Sequence, residues 1–480
     1  SKNILHAYED GINMEQLMAL TQYGNPVWIE RMMETCRRYD DLTEIGKDGK
    51  RHFIARRVSD SQITRGKDDS GNAMMFQPAL FLAWYNGNER MIRLLSEWAD
   101  SWITEDGQWK GGNSFGIGTF MLGLYELTGE DRFLAPMRNK TYAMSIDGGY
   151  LSPDWFQHTP MGQEAAGNKA FVSYITNSWQ NRLGIRFDGH LFYGMEMPFI
   201  TWLLNRDNEL LEKKLEAGIT YMRRLKYALT EANPSTDRIP IPQMLLDRMM
   251  LGGVACRRNV HWPTHAVSWE GTDGEVAVFV TKHSRESLSM NLYNFEENEK
   301  DVGFRVWRLG HGQYEITEGP DANGDGKMDS VKRTRTMILA RYSRVPLSVP
   351  QRQLWLVRLM QTKRLDSILR RADLAICADD AAFDLEKGRL TVQVHNIGAK
   401  PSGPFTVTLS GSDGKVVETR KIKNLDAPVD LMPRRTALIF NGLKLDSRVV
   451  LSVDSDGTLS EITSVNNAVK LNINSLSNGH

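Results

Sequence analysis

Residues 276–292 read Val-Ala-Val-Phe-Val-Thr-Lys-His-Ser-Arg-Glu-Ser-Leu-Ser-Met-Asn-Leu. Val276, Val278 and Val280 alternate along the chain, a polar cluster follows, and Leu288, Met290 and Leu292 alternate again. Successive side chains of a strand point to opposite faces, so this period of two predicts two strands, each apolar on one face. Val302, Phe304 and Val306 repeat the pattern after another turn cluster. Residues 261–365 are therefore expected to form an antiparallel β-sandwich.

Upstream of it the period lengthens. Met91, Leu95, Trp98 and Trp102 recur at helical spacing, and so do Leu211, Leu215, Met222, Leu225 and Leu229. Short polar turns, Tyr85-Asn-Gly-Asn88 and Thr128-Gly-Glu-Asp131, join consecutive helices and predict antiparallel hairpins. The run Gly111–Glu126 opens with small residues, including Gly116-Ile-Gly118, before an apolar stretch. Each glycine costs about 1 kcal/mol of helix propensity but lets helices approach closely, so this run reads as packing. Residues 1–260 are expected to be mainly helical. Their many aromatics near loops suit a ring of hairpins with a cleft at one end.

Downstream, a charged bridge runs from Gln361-Thr-Lys-Arg-Leu-Asp366 to Arg370-Arg371. Beyond it Leu390, Val392 and Val394 alternate, then Phe405, Val407 and Leu409, with Pro and Gly between. This predicts a small β-sandwich over 372–480. Composition supports the boundary: 11 of the 12 tryptophans precede residue 310 and none follows Trp355, so the last stretch differs in kind.

Hydrophobic residues at 41% and charged residues at 25% are ordinary for a protein that buries real cores, which argues against disorder. Lys plus Arg equals Asp plus Glu at 59 each, so no global field draws nucleic acid or an anionic membrane. No stretch approaches the ~20 apolar residues of a membrane span. The start, Ser-Lys-Asn-Ile, lacks a signal-peptide pattern, as expected of a cytoplasmic chain or of one whose leader has been removed. Cys36, Cys256 and Cys377 lie too far apart in sequence for a disulfide framework or a metal knuckle.

Three sets of motifs carry a resemblance. Ala372-Asp-Leu-Ala-Ile376, Leu390-Thr-Val-Gln-Val-His-Asn-Ile-Gly398, and Val453-Asp-Ser-Asp-Gly457 with Glu461 and Asn466-Asn467 together resemble the bacterial cell-adhesion-related (CARDB) domain. The resemblance implies an immunoglobulin-like sandwich and an exported protein: secreted, periplasmic or on the cell surface. Residues 1–365, helical and then β, resemble in domain order the α/α-toroid polysaccharide lyases. That implies a multidomain α + β chain with a toroid-like helical domain, an antiparallel β-sandwich and a C-terminal immunoglobulin-like sandwich. A complete toroid usually exceeds 250 residues, so upstream polypeptide is expected to contribute to the ring if it is closed.

The sharpest local motif is Asp321-Ala-Asn-Gly-Asp-Gly-Lys-Met-Asp329. Asp321, Asn323, Asp325 and Asp329 place side-chain oxygens at positions 1, 3, 5 and 9, Lys327 would offer its backbone carbonyl, and Gly326 permits the sharp turn. Hard cations need several converging oxygens, so a structural Ca²⁺ is expected. Position 12 is Lys332 instead of glutamate, and any remaining ligand must come from elsewhere. A plain surface turn is the alternative.

Trp109, Trp155, Trp179 and Trp262, with Trp269, fall in or beside expected loops. Flat aromatic faces cover the C–H faces of sugars, although burial between helices would also account for each tryptophan singly. The histidines His158, His190, His261 and His265 cluster in the same half. His261 and His265 have the i, i+4 spacing of a helical zinc pair, but Pro263 between them argues against a helix. His190 and Tyr193 stand at i, i+3, so both can face one cleft.

β-Elimination from a uronate needs a base for the proton at C5, an acid for the leaving oxygen, and neutral or cationic groups for the charge that develops on the carboxylate. His190 and Tyr193 suit the first two tasks, and Asn113, His158, Arg182, Arg186, Arg257 and Arg258 supply the third. Arg258 and the tryptophans would hold the polymer. Hydrolysis would instead need paired carboxyls about 5–5.5 Å or 6.5–9.5 Å apart, for which Asp154, Asp188, Glu196 and Glu270 are candidates. A non-catalytic glycan-binding or adhesion protein is the reading from a different class. The preferred expectation is cleavage of an acidic polysaccharide by a lyase.

Overall fold

The computed structural model describes residues 4–5, 15–57, 62–64, 76–107, 117–138, 169, 202–209, 211–213, 215–216, 220, 249–253, 265–444, 448–454 and 456–476. They fall into two compact units. One joins the chain up to Thr104, with residues 126–129, to the stretch from Ser367 onward, and the other spans 105–125 and 130–366.

In the first unit, α1 (Glu15–Thr21) leads to α2 (Pro26–Arg37). Asn25 caps α2 by accepting from Val27 N at 3.0 Å, and Pro26 occupies the position whose N–H would be unsatisfied anyway. Ile29, Met32, Met33 and Cys36 recur every three or four residues and are buried along one face. Helix α3 (Gln77–Asn86) is buried on every side, and α4 (Glu89–Trp102) buries Met91, Leu95 and Trp98 of the stripe its period predicts, together with Leu94, while Trp102 is half-buried. The turn between them works as its sequence implies: Gly87 takes φ +75°, and Asn88 caps α4 by accepting from Met91 N at 3.1 Å. Helix α5 (Ile117–Thr128), whose residues up to Tyr125 belong to the second unit, follows from the apolar run and stops at Gly129, φ +75°.

Short strands interrupt this helical region. β1 (Ile4–Leu5), β4 (Ala55–Arg57) and β5 (Ile63–Thr64) form one small sheet, and β2 (Thr43–Ile45) pairs with β3 (Arg51–Phe53). The cause of the β2–β3 hairpin is local: Asp48 Oδ1 accepts Lys50 N at 3.1 Å and Gly49 adopts φ +74°. The region is thus mixed, and an α/α toroid is not established by the described residues.

In the second unit, β6 (Val267–Glu270), β7 (Val276–His283), β8 (Ser287–Asn294), β9 (Lys300–Val306), β10 (Gly312–Pro320), β11 (Arg333–Leu339), β12 (Arg344–Val349) and β13 (Leu354–Arg364) make two antiparallel sheets. Their orders are β11-β10-β13-β8-β7 and β12-β9-β6. Val276, Val278, Val280, Leu288, Met290, Leu292, Val302, Phe304 and Val306 all lie in one buried cluster, so the alternation marks the inward face. Both β11 and β12 are edge strands.

The rest of the first unit is a second sandwich. β14 (Leu374–Ala375), β15 (Ala382–Asp384) and β19 (Arg434–Asn441) pair with β16 (Arg389–Asn396). The other sheet runs β18 (Val416–Ile422), β17 (Phe405–Gly411), β20 (Arg448–Val453), β21 (Ala468–Asn472). Leu390, Val392 and Val394 of one sheet meet Phe405, Val407, Leu409 and Leu451 of the other in a single core. Helices and sandwich of this unit share buried polar contacts: Tyr85 OH donates to Asp373 Oδ2 at 2.6 Å, and Asn86 Nδ2 to the Ile397 carbonyl at 3.0 Å.

Candidate functional site

His190, Tyr193, His158, Asn113 and Arg186, together with Trp109, Trp155, Trp179, Trp262 and Arg258, lie outside the described residues. So do Asp154, Asp188, Glu196, Arg182, Arg257 and His261. Of the aromatic and histidine candidates, two are described, and both are built into the sandwich. Trp269 Nε1 donates to the Met250 carbonyl at 2.7 Å, and its ring packs on Phe304 at 5.4 Å. His265 is 3% exposed and its ring lies 4.8 Å from that of Trp307. These are packing roles.

The expected cation loop joins β10 to β11. Asp321 is buried, and its carboxylate gathers the loop backbone: Oδ1 accepts Gly324 N at 2.8 Å and Asp325 N at 3.2 Å, and Oδ2 accepts Gly326 N at 2.8 Å. Asn323 Oδ1 accepts Asp325 N, Asp325 Oδ1 accepts Lys327 N, and Asp329 Oδ2 accepts Ala322 N, at 3.0, 2.8 and 2.7 Å. Gly324 and Gly326 take φ +72° and +77°, which explains the glycines. From β13, Arg358 donates to the Gly326 carbonyl at 2.9 Å. Among the described residues no group of three or more His, Cys, Asp or Glu side chains converges so as to hold a metal. The donor chemistry still suits a hard cation, since a carboxylate oxygen that accepts an N–H keeps a second lone pair. Asp321, Asn323, Asp325 and Asp329 are the residues that would hold it.

A groove of about 620 Å³ opens beside the edge strands β11 and β12, lined by Glu270, Asp301, Arg333, Arg335 and Arg344 with Pro346, Leu347 and Ser348. Arg333 and Arg335 stand two residues apart on β11, hence on one face, and that face turns inward toward Glu318. Glu318 is fully buried; its Oε1 lies 2.5 Å from Arg335 and its Oε2 3.7 Å from Arg333. The two guanidiniums then reach the opposite edge, where Arg333 donates to the Ser348 carbonyl at 2.5 Å and Arg335 to the Pro346 carbonyl at 2.6 Å. They satisfy acceptors that an open strand edge would otherwise leave to water or to another chain.

On the second sheet, Glu270 is clamped from two sides. Its Oε1 lies 2.7 Å from Arg305 Nε and its Oε2 accepts from Arg344 Nε at 2.6 Å. The Arg344 hydrogen bond, reinforced by Arg305 against a smaller opposing effect of burial, holds the Glu270 carboxyl below the usual carboxylate range. A carboxyl held ionised lacks the proton a general acid must deliver, so Glu270 fits poorly as the acid of a hydrolase. Arg344 is about half exposed, and neither of its terminal nitrogens has a hydrogen-bond partner among the described residues. The Asp301 carboxylate is unpartnered in the same sense. A Cβ on Gly303 would sit 2.8 Å from Arg344 Nη2, so the missing side chain makes room for the guanidinium.

Sequence reasoning missed Arg333, Arg335, Arg344, Arg305 and Glu318. The i, i+2 arginines in Arg333-Thr-Arg-Thr-Met337 were the available signal, since they must share a face.

No family model matches the chain, and no curated protein matches it. Among solved structures it is similar to the CARDB domain of a Pyrococcus furiosus protein in complex with di-metal ions, at 19% identity over 22% of this chain and 90% of that one, TM-score 0.18. A putative cell surface protein domain of Methanosarcina acetivorans is similar at 22% identity over 21% of this chain and 88% of that one, TM-score 0.17. A β-glucuronidase of Ruminococcus gnavus in complex with uronic isofagomine is similar at 10% identity over 39% of this chain, TM-score 0.15, and this chain spans only 35% of its length. Among the described residues no helix is long and apolar enough to cross a membrane.

Proposed function

We propose that the chain is an exported, carbohydrate-active protein that cleaves an acidic polysaccharide by β-elimination. In this reading residues 1–260 form a toroid-like domain carrying the chemistry, residues 261–365 a sandwich with a structural calcium loop, and residues 372–480 a CARDB-like module. The observation that carries it is the concentration of His158, His190, Tyr193, Asn113, Arg186 and Arg258, with Trp109, Trp155, Trp179 and Trp262, in the stretch of sequence ahead of a β-sandwich. His190 takes the C5 proton, Tyr193 protonates the departing oxygen as the C4–O bond breaks and the C4–C5 double bond forms, and Asn113 with Arg186 balances charge on the carboxylate. Trp109, Trp155, Trp179 and Trp262 supply faces for sugar rings.

Incubation with a panel of anionic and neutral polysaccharides tests this. New ultraviolet absorbance from a conjugated double bond is the expected result with a uronate polymer. Reducing ends without that absorbance move the protein to the glycoside hydrolases, with Asp154, Asp188 and Glu196 as carboxyl candidates. Retention of polymer with no product at all makes it a glycan-binding or adhesion protein.

A further inference from the structure

We propose that the groove beside β11 and β12 is a glycan-binding subsite of its own, which seats the carboxylate of one uronic acid residue on the free edge of Arg344. The ligand class rests on the reading of the substrate as an acidic polysaccharide; the site itself rests on the geometry of the sandwich.

Three features make the groove more than a surface dip. Its volume of about 620 Å³ falls inside the ~300–1,000 Å³ usual for small-molecule sites. Its cations are positioned before any ligand arrives: Arg335 and Arg333 are held by the buried Glu318 and by the Pro346 and Ser348 carbonyls, and Arg344 by Glu270 through Nε alone. Finally, donor capacity is left over. A guanidinium carries five N–H donors, and among the described residues Arg344 spends only the one on Nε, while the missing side chain of Gly303 leaves room for the guanidinium.

The shape of that capacity selects the ligand. Two adjacent N–H groups in one plane match the two oxygens of a carboxylate. Asp301, unpartnered among the described residues, is an acceptor for sugar hydroxyls beside it, and Pro346 and Leu347 give the groove an apolar wall. The Glu270 carboxylate already lies on the other side of the arginine, so the bound one would extend the series Arg305–Glu270–Arg344 by one more alternating charge. A neutral sugar would bring no charge to the terminal nitrogens, and Glu270 would remain the ion-pair partner of Arg344.

Calorimetric titration of the full chain with D-glucuronate, its methyl ester and glucose 6-sulfate tests the assignment. Glucuronate should bind, and the ester, which has no carboxylate charge, should bind about tenfold or more weakly, the scale of a charge-assisted hydrogen bond. Arg344→Ala should remove one glucuronate site per chain. Gly303→Ala should weaken the same site by crowding the guanidinium while leaving the thermal midpoint within a few degrees, which separates binding from folding. An unchanged site in Arg344→Ala, equal binding of acid and ester, or binding of the sulfate alone would overturn the proposal. Formation of unsaturated product from a soluble polymer is read separately. Product without a site on Arg344 sinks the subsite and leaves the lyase reading standing, and a site on Arg344 without product does the reverse.

Discussion

His395 Nδ1 lies 2.7 Å from Glu30 Oε1, although 365 positions separate the two residues and the imidazole is fully buried. Its Nε2 lies 2.9 Å from Asp380 Oδ2, so one ring on β16 is held between a carboxylate of α2 and one of its own sandwich. Burial is the largest influence on this histidine and opposes charging, but the hydrogen bonds and charges of Asp380 and Glu30 together outweigh it and raise its pKa. The sign follows. A pKa raised on folding gives stabilisation that is complete below the ordinary value of about 6.5 and is lost as pH rises through the folded value. Asp380, held low first by its hydrogen bond to His395, works at the acid end: its share is present above the ordinary carboxylate value and is lost as pH falls through the folded one.

Thermal unfolding from pH 5 to 9 should therefore show a decline with rising pH that His395→Gln reduces, leaving the share of Glu461. At pH 6 the variant should lose about 3–5 kcal/mol, the cost of breaking a buried pair by removing one partner. Parallel profiles for the two proteins would show that the imidazole is neutral in the folded state.

Glu461 supplies a second pH test within the same unit. It accepts from Leu374 N at 2.7 Å and from the Asn467 amide, yet burial dominates and pushes its carboxyl up to about 7. A carboxyl raised above its ordinary value binds protons more tightly in the folded chain, so its contribution is full below about pH 4.5 and declines as pH rises through 7. Glu461→Gln keeps an oxygen for Leu374 N and removes the buried charge. It should be at least as stable as the parent at pH 8, whereas Glu461→Ala leaves that N–H without its acceptor and should lose about 1–3 kcal/mol. Denaturant midpoints at pH 5 and pH 8 for the three proteins decide this, and loss of stability in the glutamine variant at pH 8 would count against a strained carboxylate.

What the sequence made legible was whatever a single period controls. Met91, Leu95 and Trp98 mark the buried stripe of α4, and Val276, Val278 and Val280 mark the inward face of β7. The β2–β3 hairpin was missed because three-residue strands carry too few residues to show a period, and the turn at Asp48 and Gly49 fixes them instead. The arginine groove was missed for another reason. Arg333 and Arg335 on an edge strand read as a solvated face, and only the buried Glu318 on the neighbouring strand, paired by tertiary register, turns that face inward.

The 321–329 loop should hold one calcium ion per chain. Metal analysis of protein dialysed against buffer with micromolar calcium is the direct measurement, with a stoichiometry near one as the expected value. Asp325→Ala is the informative variant, because Asp321→Ala would also strip acceptors from three backbone N–H groups. Asp325→Ala should lose the ion and some thermal stability, and a chelator should then have little further effect. A metal-free parent that ignores chelator would make the loop a turn closed by its own amides.

For the chemistry, His190→Ala and Tyr193→Phe should each lower turnover about 10²-fold or more, the usual scale for removing a general acid or base. Tyr193→Phe keeps the ring and removes only the hydroxyl, so folding and polymer binding should survive. Full activity in Tyr193→Phe would remove it from the mechanism. Activity abolished instead by Asp188→Asn or Glu196→Gln would identify a hydrolase.

The final sandwich should fold as a fragment of residues 372–480, though less firmly than in the whole chain. Its apolar core is its own: every residue of the cluster built on Leu390, Val407, Phe440 and Leu451 lies between Leu374 and Leu476. Its polar flank is not. Asp373 is fully buried with Tyr85 as a donor, the Ile397 carbonyl accepts from Asn86, and Asn466 Nδ2 donates to the Gly24 carbonyl at 3.1 Å. Removing residues 1–104 returns these groups and His395 to water, so each lost contact costs only about 0.5–1.5 kcal/mol net. The fragment should then unfold in one cooperative transition, at a midpoint lower by roughly 4–8 °C for each kcal/mol lost. Tyr85→Phe in the full chain isolates one such contact and should reproduce part of the shift. A fragment with no cooperative transition would mean that the helices supply part of its core, and an unshifted midpoint would mean that their polar contacts contribute nothing.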